Sequence, residues 1–135
     1  MTRYTPAQTA VLEALRQQSQ PISAQALYVQ MREHQRIGLA TVYRALDALK
    51  RLGRVQHRTT LTGETLYNTV EQDRHYLTCL HCGQSFPLSA CPLKGLKLQP
   101  QHSGSFAVYY HTLEFFGLCQ PCQVEAGPSG EKLEV

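Results

Sequence analysis

Gly38-Leu39-Ala40-Thr41-Val42-Tyr43-Arg44-Ala45-Leu46-Asp47-Ala48-Leu49-Lys50-Arg51-Leu52-Gly53 carries two patterns at once. Val42, Ala45, Leu46 and Leu49 stand at i, i+3, i+4 and i+7, the spacing of an apolar stripe along a helix. Thr41, Tyr43, Arg44, Asp47, Lys50 and Arg51 fall on the opposite face, and Gly53 suits the position just past a helix end. An arginine fork able to pair with guanine, beside a ring able to meet a sugar or a thymine methyl, gives this helix the makings of a DNA reader. The same pattern also suits a solvated amphipathic helix, so its neighbours carry weight.

Upstream, Thr5-Pro6-Ala7-Gln8 reads as a capping box with proline at the first helical position, followed by the stripe Val11, Leu12 and Leu15. A second helix starts at Ser23, with Ala24, Leu27, Tyr28 and Met31 on one face. Downstream the period falls to two: Val55, His57 and Thr59, then Leu66, Asn68 and Val70, with Thr62-Gly63 as the turn of a hairpin. Three helices followed by a β-hairpin is the plan of a winged helix-turn-helix. Arg54 and Arg58 extend the positive stripe onto the wing, within reach of phosphates.

The rest of the chain has a different character. All five cysteines lie at or beyond Cys79: Cys79-Leu80-His81-Cys82, thirty-six residues, then Cys119-Gln120-Pro121-Cys122, with Cys91 left over. Two C-x-x-C units read as four thiolates around one tetrahedral zinc ion, since a two-residue spacer lets both sulfurs of a turn reach an ion about 2.3 Å away. Gly83 and Pro121 suit tight knuckle turns. Thioredoxin-like redox use would need a C-x-x-C that opens a helix after a strand, whereas both pairs are expected to end or follow strands. Those strands are Tyr76–Cys79, Ser85–Leu88 and a long one over Phe106–Leu118. A short helical piece is expected over Leu93–Leu98, ending at Pro100, then a loop over residues 101–105.

The full chain has 135 residues, 42% apolar and 17% charged. That is too apolar for a disordered chain and bounds the answer to one compact domain or two very small ones. No apolar run approaches the roughly 20 residues of a membrane span, and Met1-Thr2-Arg3-Tyr4 opens no signal peptide, so the expected setting is the cytoplasm, with no membrane partner. Reduced thiols are the rule there. Residues 1–70 carry a charge balance of +5 and residues 71–135 one of −2, which suggests two modules with different partners. With no glycine-rich phosphate loop, nucleophile elbow or zinc motif with a general base, no enzyme is expected.

Ile37-Gly38-Leu39-Ala40-Thr41-Val42-Tyr43-Arg44-Ala45-Leu46, with Leu49 and Gly53, resembles the recognition helix of ferric uptake regulator family repressors. Thr5-Pro6-Ala7-Gln8 is similar to the family's opening motif, Ser23-Ala24 with Leu27-Tyr28 to its second-helix motif, and the two C-x-x-C units to its structural zinc site. The resemblance runs from about residue 3 to 124. It implies an α+β chain: a winged-helix domain over 1–70, a hinge at 71–73, a small α/β metal-binding dimerisation domain over 74–126, and a tail over 127–135. It also implies a homodimer that binds an inverted-repeat DNA operator in a metal-dependent way. Thr41, Tyr43, Arg44, Lys50 and Arg51 are the expected DNA-binding residues, with Tyr43 and Arg44 matching the family's contacts by position. Gln8 departs from the family's frequent arginine.

The regulatory metal is a separate question. Where relatives carry a histidine-rich cluster, this chain has Asp73-Arg74-His75-Tyr76, and Pro21 stands where iron sensors often place a histidine. The candidates for a second site are His57 on the wing, Asp73 and His75 at the hinge, Cys91, and His111. A thiolate with imidazoles favours zinc over iron or manganese, because soft sulfur selects softer ions. The expectation is a zinc-responsive regulator of the zinc uptake branch, a repressor of zinc uptake genes with activation as a further option. It would hold one structural zinc and at least one regulatory zinc per chain. The alternative is an iron, manganese or peroxide sensor with Cys91 as a redox thiol. His34, His81 and His102 read as surface residues. Tyr109, Tyr110, Phe115 and Phe116 read as sheet and dimer core.

Overall fold

A computed structural model of the chain describes residues 3–72, 74–93, 98, 99, 101 and 104–126. It divides into two compact units, Met1–Asp73 and Arg74–Val135.

The first unit holds α1 (Pro6–Arg16), α2 (Ala24–Met31), α3 (Leu39–Arg51), β1 (Val55–Thr59) and β2 (Thr65–Thr69), then a 3-10 turn over Val70–Gln72. The capping box is formed as expected: the Thr5 hydroxyl accepts from the Gln8 N–H and the Thr5 N–H donates to Gln8 Oε1, each at 3.1 Å. Ser23 caps α2 by accepting from the Ala26 N–H at 3.1 Å. Helix α3 ends in a Schellman motif. Gly53, at φ 74°, donates to the Lys50 carbonyl, and Arg54 donates to that of Leu49, both at 3.0 Å.

The inward stripes of all three helices meet. Val11, Leu15, Leu27, Val42, Leu46, Leu49 and Val55 are fully buried in one cluster that Leu12, Ala24, Met31 and Ala45 complete. The hairpin pairs antiparallel from Val55↔Thr69 to Thr59↔Thr65, with Gly63 at φ 90° in its loop. Its burial does not alternate as expected. Val55 and Gln56 are both buried while His57 and Thr59 are exposed, because only the base of the hairpin lies on the core. Val70 leaves the ladder for the 3-10 turn, where its N–H donates to the Arg54 carbonyl at 3.1 Å. Ile22, between α1 and α2, exchanges both backbone hydrogen bonds with Tyr67, so β2 has a second partner. Gln72 Nε2 donates to the carbonyls of Arg16 (3.0 Å) and Gln18 (3.3 Å), which fastens the 3-10 turn to the end of α1.

In the second unit, β3 (Tyr76–Cys79) pairs antiparallel with β4 (Ser85–Pro87) and parallel with β5 (Glu114–Gly117), in the order β4-β3-β5. The Thr78 hydroxyl bonds to the Ser85 hydroxyl at 2.9 Å and donates to the Glu114 carboxylate, so one side chain ties all three strands. Helix α4 (Gln120–Ala126) follows. The long strand expected over Phe106–Leu118 is corrected to four residues. β5 pairs only along the four-residue β3, and a strand persists only where a neighbour meets its backbone groups. Tyr109 and Tyr110 therefore lie outside the sheet, and Phe115 and Phe116, although on β5, are exposed in the single chain rather than in its core. The expected helical piece over Leu93–Leu98 and the tail from residue 127 lie outside the described residues, apart from Leu93 in a turn and Leu98 in irregular chain. No helix among the described residues is long and apolar enough to cross a membrane.

Leu46→Ala should lower the unfolding free energy by about 2–5 kcal/mol, since it empties a fully buried position. Val29→Ala, at an exposed site on α2, should stay within about 0.5 kcal/mol of the parent. Urea titrations of both variants check the contrast.

Candidate metal centres and DNA-reading face

Cys79 is the last residue of β3, and its carbonyl accepts from the N–H of Gly83 at 2.9 Å. Gly83 adopts φ 78°, a conformation that suits glycine and closes the knuckle so that Cys82 points back toward Cys79. The Cys82 N–H lies 3.5 Å from Cys79 Sγ. Cys119 follows β5 directly, and α4 begins at the next residue, with Cys122 in its first turn. The parallel pairing of β3 with β5, through Cys79↔Gly117, brings the two knuckles together.

All four Sγ atoms lie within 4.8 Å of one another, and those of Cys82 and Cys119 are 3.9 Å apart. A tetrahedral site with metal–sulfur bonds near 2.3 Å has sulfur–sulfur edges of about 3.8 Å, so this donor set fits zinc. All five cysteines are free thiols. Backbone N–H groups of Cys119 and Cys82 pull the Cys79 thiol down to about 5. Hydrogen bonding with the Cys119 thiol and burial push that of Cys122 up. Four thiols this close cannot all ionise without a cation between them.

The second pair does open a helix after a strand, contrary to the sequence expectation. What opposes a thioredoxin-like role is the convergence of four sulfurs, since a redox pair needs only its own two.

A second cluster joins His75, Cys91 and His111, whose ligand atoms also lie within 4.8 Å of one another. His75 is buried just ahead of β3, and its carbonyl accepts from the Leu88 N–H at 2.7 Å. Its ring stacks on that of His111 with centroids 4.9 Å apart. Cys91 Sγ and His111 Nε2 are 3.5 Å apart, close to the edge expected for two ligands of one ion. Three donors, one short of a closed tetrahedral set, is the form of an exchangeable site. Asp73 lies outside the described residues. His57 is on β1 of the first unit, its ring 6.1 Å from that of Tyr67; burial and the Lys50 charge hold its pKa below the usual value.

A third grouping was not anticipated: His81, Cys122 and Glu125, with His81 Nε2 3.5 Å from a Glu125 carboxylate oxygen. The available signal was the three-residue spacing of Cys122 and Glu125, one helical turn.

On α3, Tyr43 and Arg44 are exposed, Thr41 is half-buried, and Arg44 Nη2 donates to Thr41 Oγ1 at 3.2 Å. Lys50 and Arg51 share the Asp47 carboxylate, at 3.9 and 2.6 Å. Exposed pairs of this kind contribute about 0–1 kcal/mol, so both cations can turn to a phosphate at little cost.

The profile of the ferric uptake regulator family matches residues 1–116. The zinc uptake regulation protein of Mycobacterium tuberculosis is 32% identical over 103 residues, covering 75% of this chain and 79% of that protein. The crystal structure of the Vibrio cholerae ferric uptake regulator is similar at a TM-score of 0.56 and 28% identity, over 87% of this chain and 92% of that one. That of the Campylobacter jejuni peroxide stress regulator gives 0.57 and 26%, over 87% and 89%. The chain thus belongs to the ferric uptake regulator family, whose members are metal-responsive transcriptional regulators.

Proposed function

We propose that this chain is a zinc-responsive, cytoplasmic DNA-binding regulator that acts as a homodimer on an inverted-repeat operator and represses zinc uptake genes. The observation that carries the zinc reading is the thiol of Cys91 beside the imidazoles of His75 and His111. A site with a soft sulfur donor favours zinc over iron or manganese, which prefer harder oxygen-rich sets. The similarity to a zinc uptake regulation protein supports the same branch.

Roles divide between the units. Cys79, Cys82, Cys119 and Cys122 form the structural site, where bound zinc would supply cross-linking between the two knuckles. His75, Cys91 and His111 form the regulatory site, with His57 and Asp73 as further candidate ligands. Residues 1–70 are the DNA-binding domain, with Tyr43 and Arg44 at the base edges and Thr41, Lys50 and Arg51 beside them. Residues 71–73 are the hinge and 74–126 the dimerisation domain. Two features support the dimer. Among the described residues no strand pairs with the outer edge of β5, and Leu77, Phe86, Phe115, Phe116 and Leu118 line an exposed hollow of about 200 Å³.

Paired recognition helices must stand about 34 Å apart to enter successive major grooves. A chain that samples many arrangements pays for binding in proportion to the fraction that fits. Ligands from separate strands and loops, once drawn to one ion, narrow that sampling. Cys91 and His111, twenty positions apart, would be joined in this way to His75, which stands two residues past the hinge.

Zinc titration against operator DNA tests this reading. His111→Ala and Cys91→Ala should each raise the free zinc needed for half-saturation by roughly ten-fold or more, with the four-cysteine ion retained. A response to iron, manganese or peroxide in place of zinc would select the alternative sensor, with Cys91 as a redox thiol. Arg44→Ala should cost about 1–3 kcal/mol of operator affinity and relax base discrimination, measured by binding to operator and scrambled duplexes. Cys79→Ser should unfold or monomerise the second unit, seen as a lower melting temperature and a smaller species in sedimentation, since a structural metal site carries folding free energy.

A further inference from the structure

Two sulfurs of the four-cysteine cluster are shut away: Cys79 is 2% exposed and Cys122 5%. The side chains of His81 and Glu125 stand in solvent, 59% and 71% exposed, with His81 Nε2 3.5 Å from a Glu125 carboxylate oxygen. Cys122 belongs to both groups. Its Sγ lies within 4.8 Å of the other three cysteine sulfurs, and also within 4.8 Å of the His81 and Glu125 ligand atoms. We infer that His81, Glu125 and Cys122 form an exchange site, through which zinc enters and leaves the four-cysteine centre. This rests on that centre holding zinc.

The chemistry follows from the shared sulfur. A carboxylate and an imidazole in water can each replace a water of a hydrated zinc ion without losing much solvation of their own. Cys122 then joins as a thiolate, its proton passing to water. Cys79, Cys82 and Cys119 replace the remaining waters, Glu125 and His81 one at a time, each thiol proton again leaving to solvent. Each step would form one metal–ligand bond as another breaks, with Cys122 bound from its own entry onward. The ion is never released between the outer set and the inner one. Helix α4 makes this possible by placing Glu125 one turn beyond Cys122, and the first knuckle contributes His81 between its two cysteines.

Such a site changes rates and leaves the final state alone. A residue that only braces or shields the cluster would alter stability or speed up loss. The test follows exchange of bound natural-abundance zinc for added zinc-67 by native mass spectrometry, on the full chain in the His111→Ala background so that only the four-cysteine ion is read. His81→Ala, Glu125→Gln and the double variant should each slow exchange, the double variant by roughly ten-fold or more, the scale on which groups beside a metal site act. Release to an added chelator should slow by the same factor, with zinc per chain and melting temperature unchanged. Exchange as fast as in the parent would overturn the inference and assign entry to the exposed thiol of Cys82. Faster exchange would overturn it too and assign His81 and Glu125 a shielding role. If Cys79→Ser removes no zinc from the chain, the four-cysteine reading itself fails, an outcome separate from either rate result.

Discussion

Four sulfur atoms gather where β3 and β5 end, in a unit whose described residues bury little else. The buried residues described in the second unit are His75, Tyr76, Thr78, Cys79 and Cys122, and none is aliphatic. Strands of three or four residues cannot bury enough apolar surface to stand alone. The hydroxyl of Thr78 pins the three strands side by side, and the cysteines close the sheet at one end. The first unit rests on the opposite arrangement, a single aliphatic cluster fed by three helices and the base of a hairpin. On the proposed zinc reading, a chelator would act on the second unit and leave the aliphatic cluster of the first untouched.

This contrast explains which parts were legible in the sequence. Helices announce themselves locally: the Thr5 box, the Ser23 cap, the Val42-to-Leu49 stripe and the Gly53 stop all lie where their periodicity and caps place them. The paired C-x-x-C units were equally plain, because ligand spacing is a local property. Strand length is not, because it depends on the partner. Residues 106–113 have the composition of a strand, yet β3 supplies only four residues to pair with. The Ile22–Tyr67 bridge was invisible for the same reason, since one residue in a loop has no period. The Cys91–His111 contact joins residues twenty positions apart, so composition nominated its members while only folding set them side by side.

Charge on α3 has its own economy. Six of its residues face outward with hydrogen-bonding or ionic capacity, and Asp47 stands among them as an internal counter-ion. A helix without it would present three unopposed cations and attract any polyanion. Asp47 lowers that indiscriminate attraction while leaving Arg44, held to Thr41, outside the shared pair. For the DNA reader proposed above, this balance would favour contacts that depend on shape and base edges over those that depend on charge alone.

The backbone of Arg54 is a junction. Its N–H closes the end of α3 on Leu49, its carbonyl receives the N–H of Val70, and the next residue begins β1. No slack separates helix from wing, so adding or deleting a residue between Arg51 and Val55 would rotate the hairpin relative to the helix and break the Val55↔Thr69 register. The far end of the hairpin is different. Residues 60–64 bond to one another across their own loop and touch no part of the core. Extra residues at the wing tip would leave the junction of helix and hairpin intact and, on the proposed reading, would only lengthen the reach along a duplex.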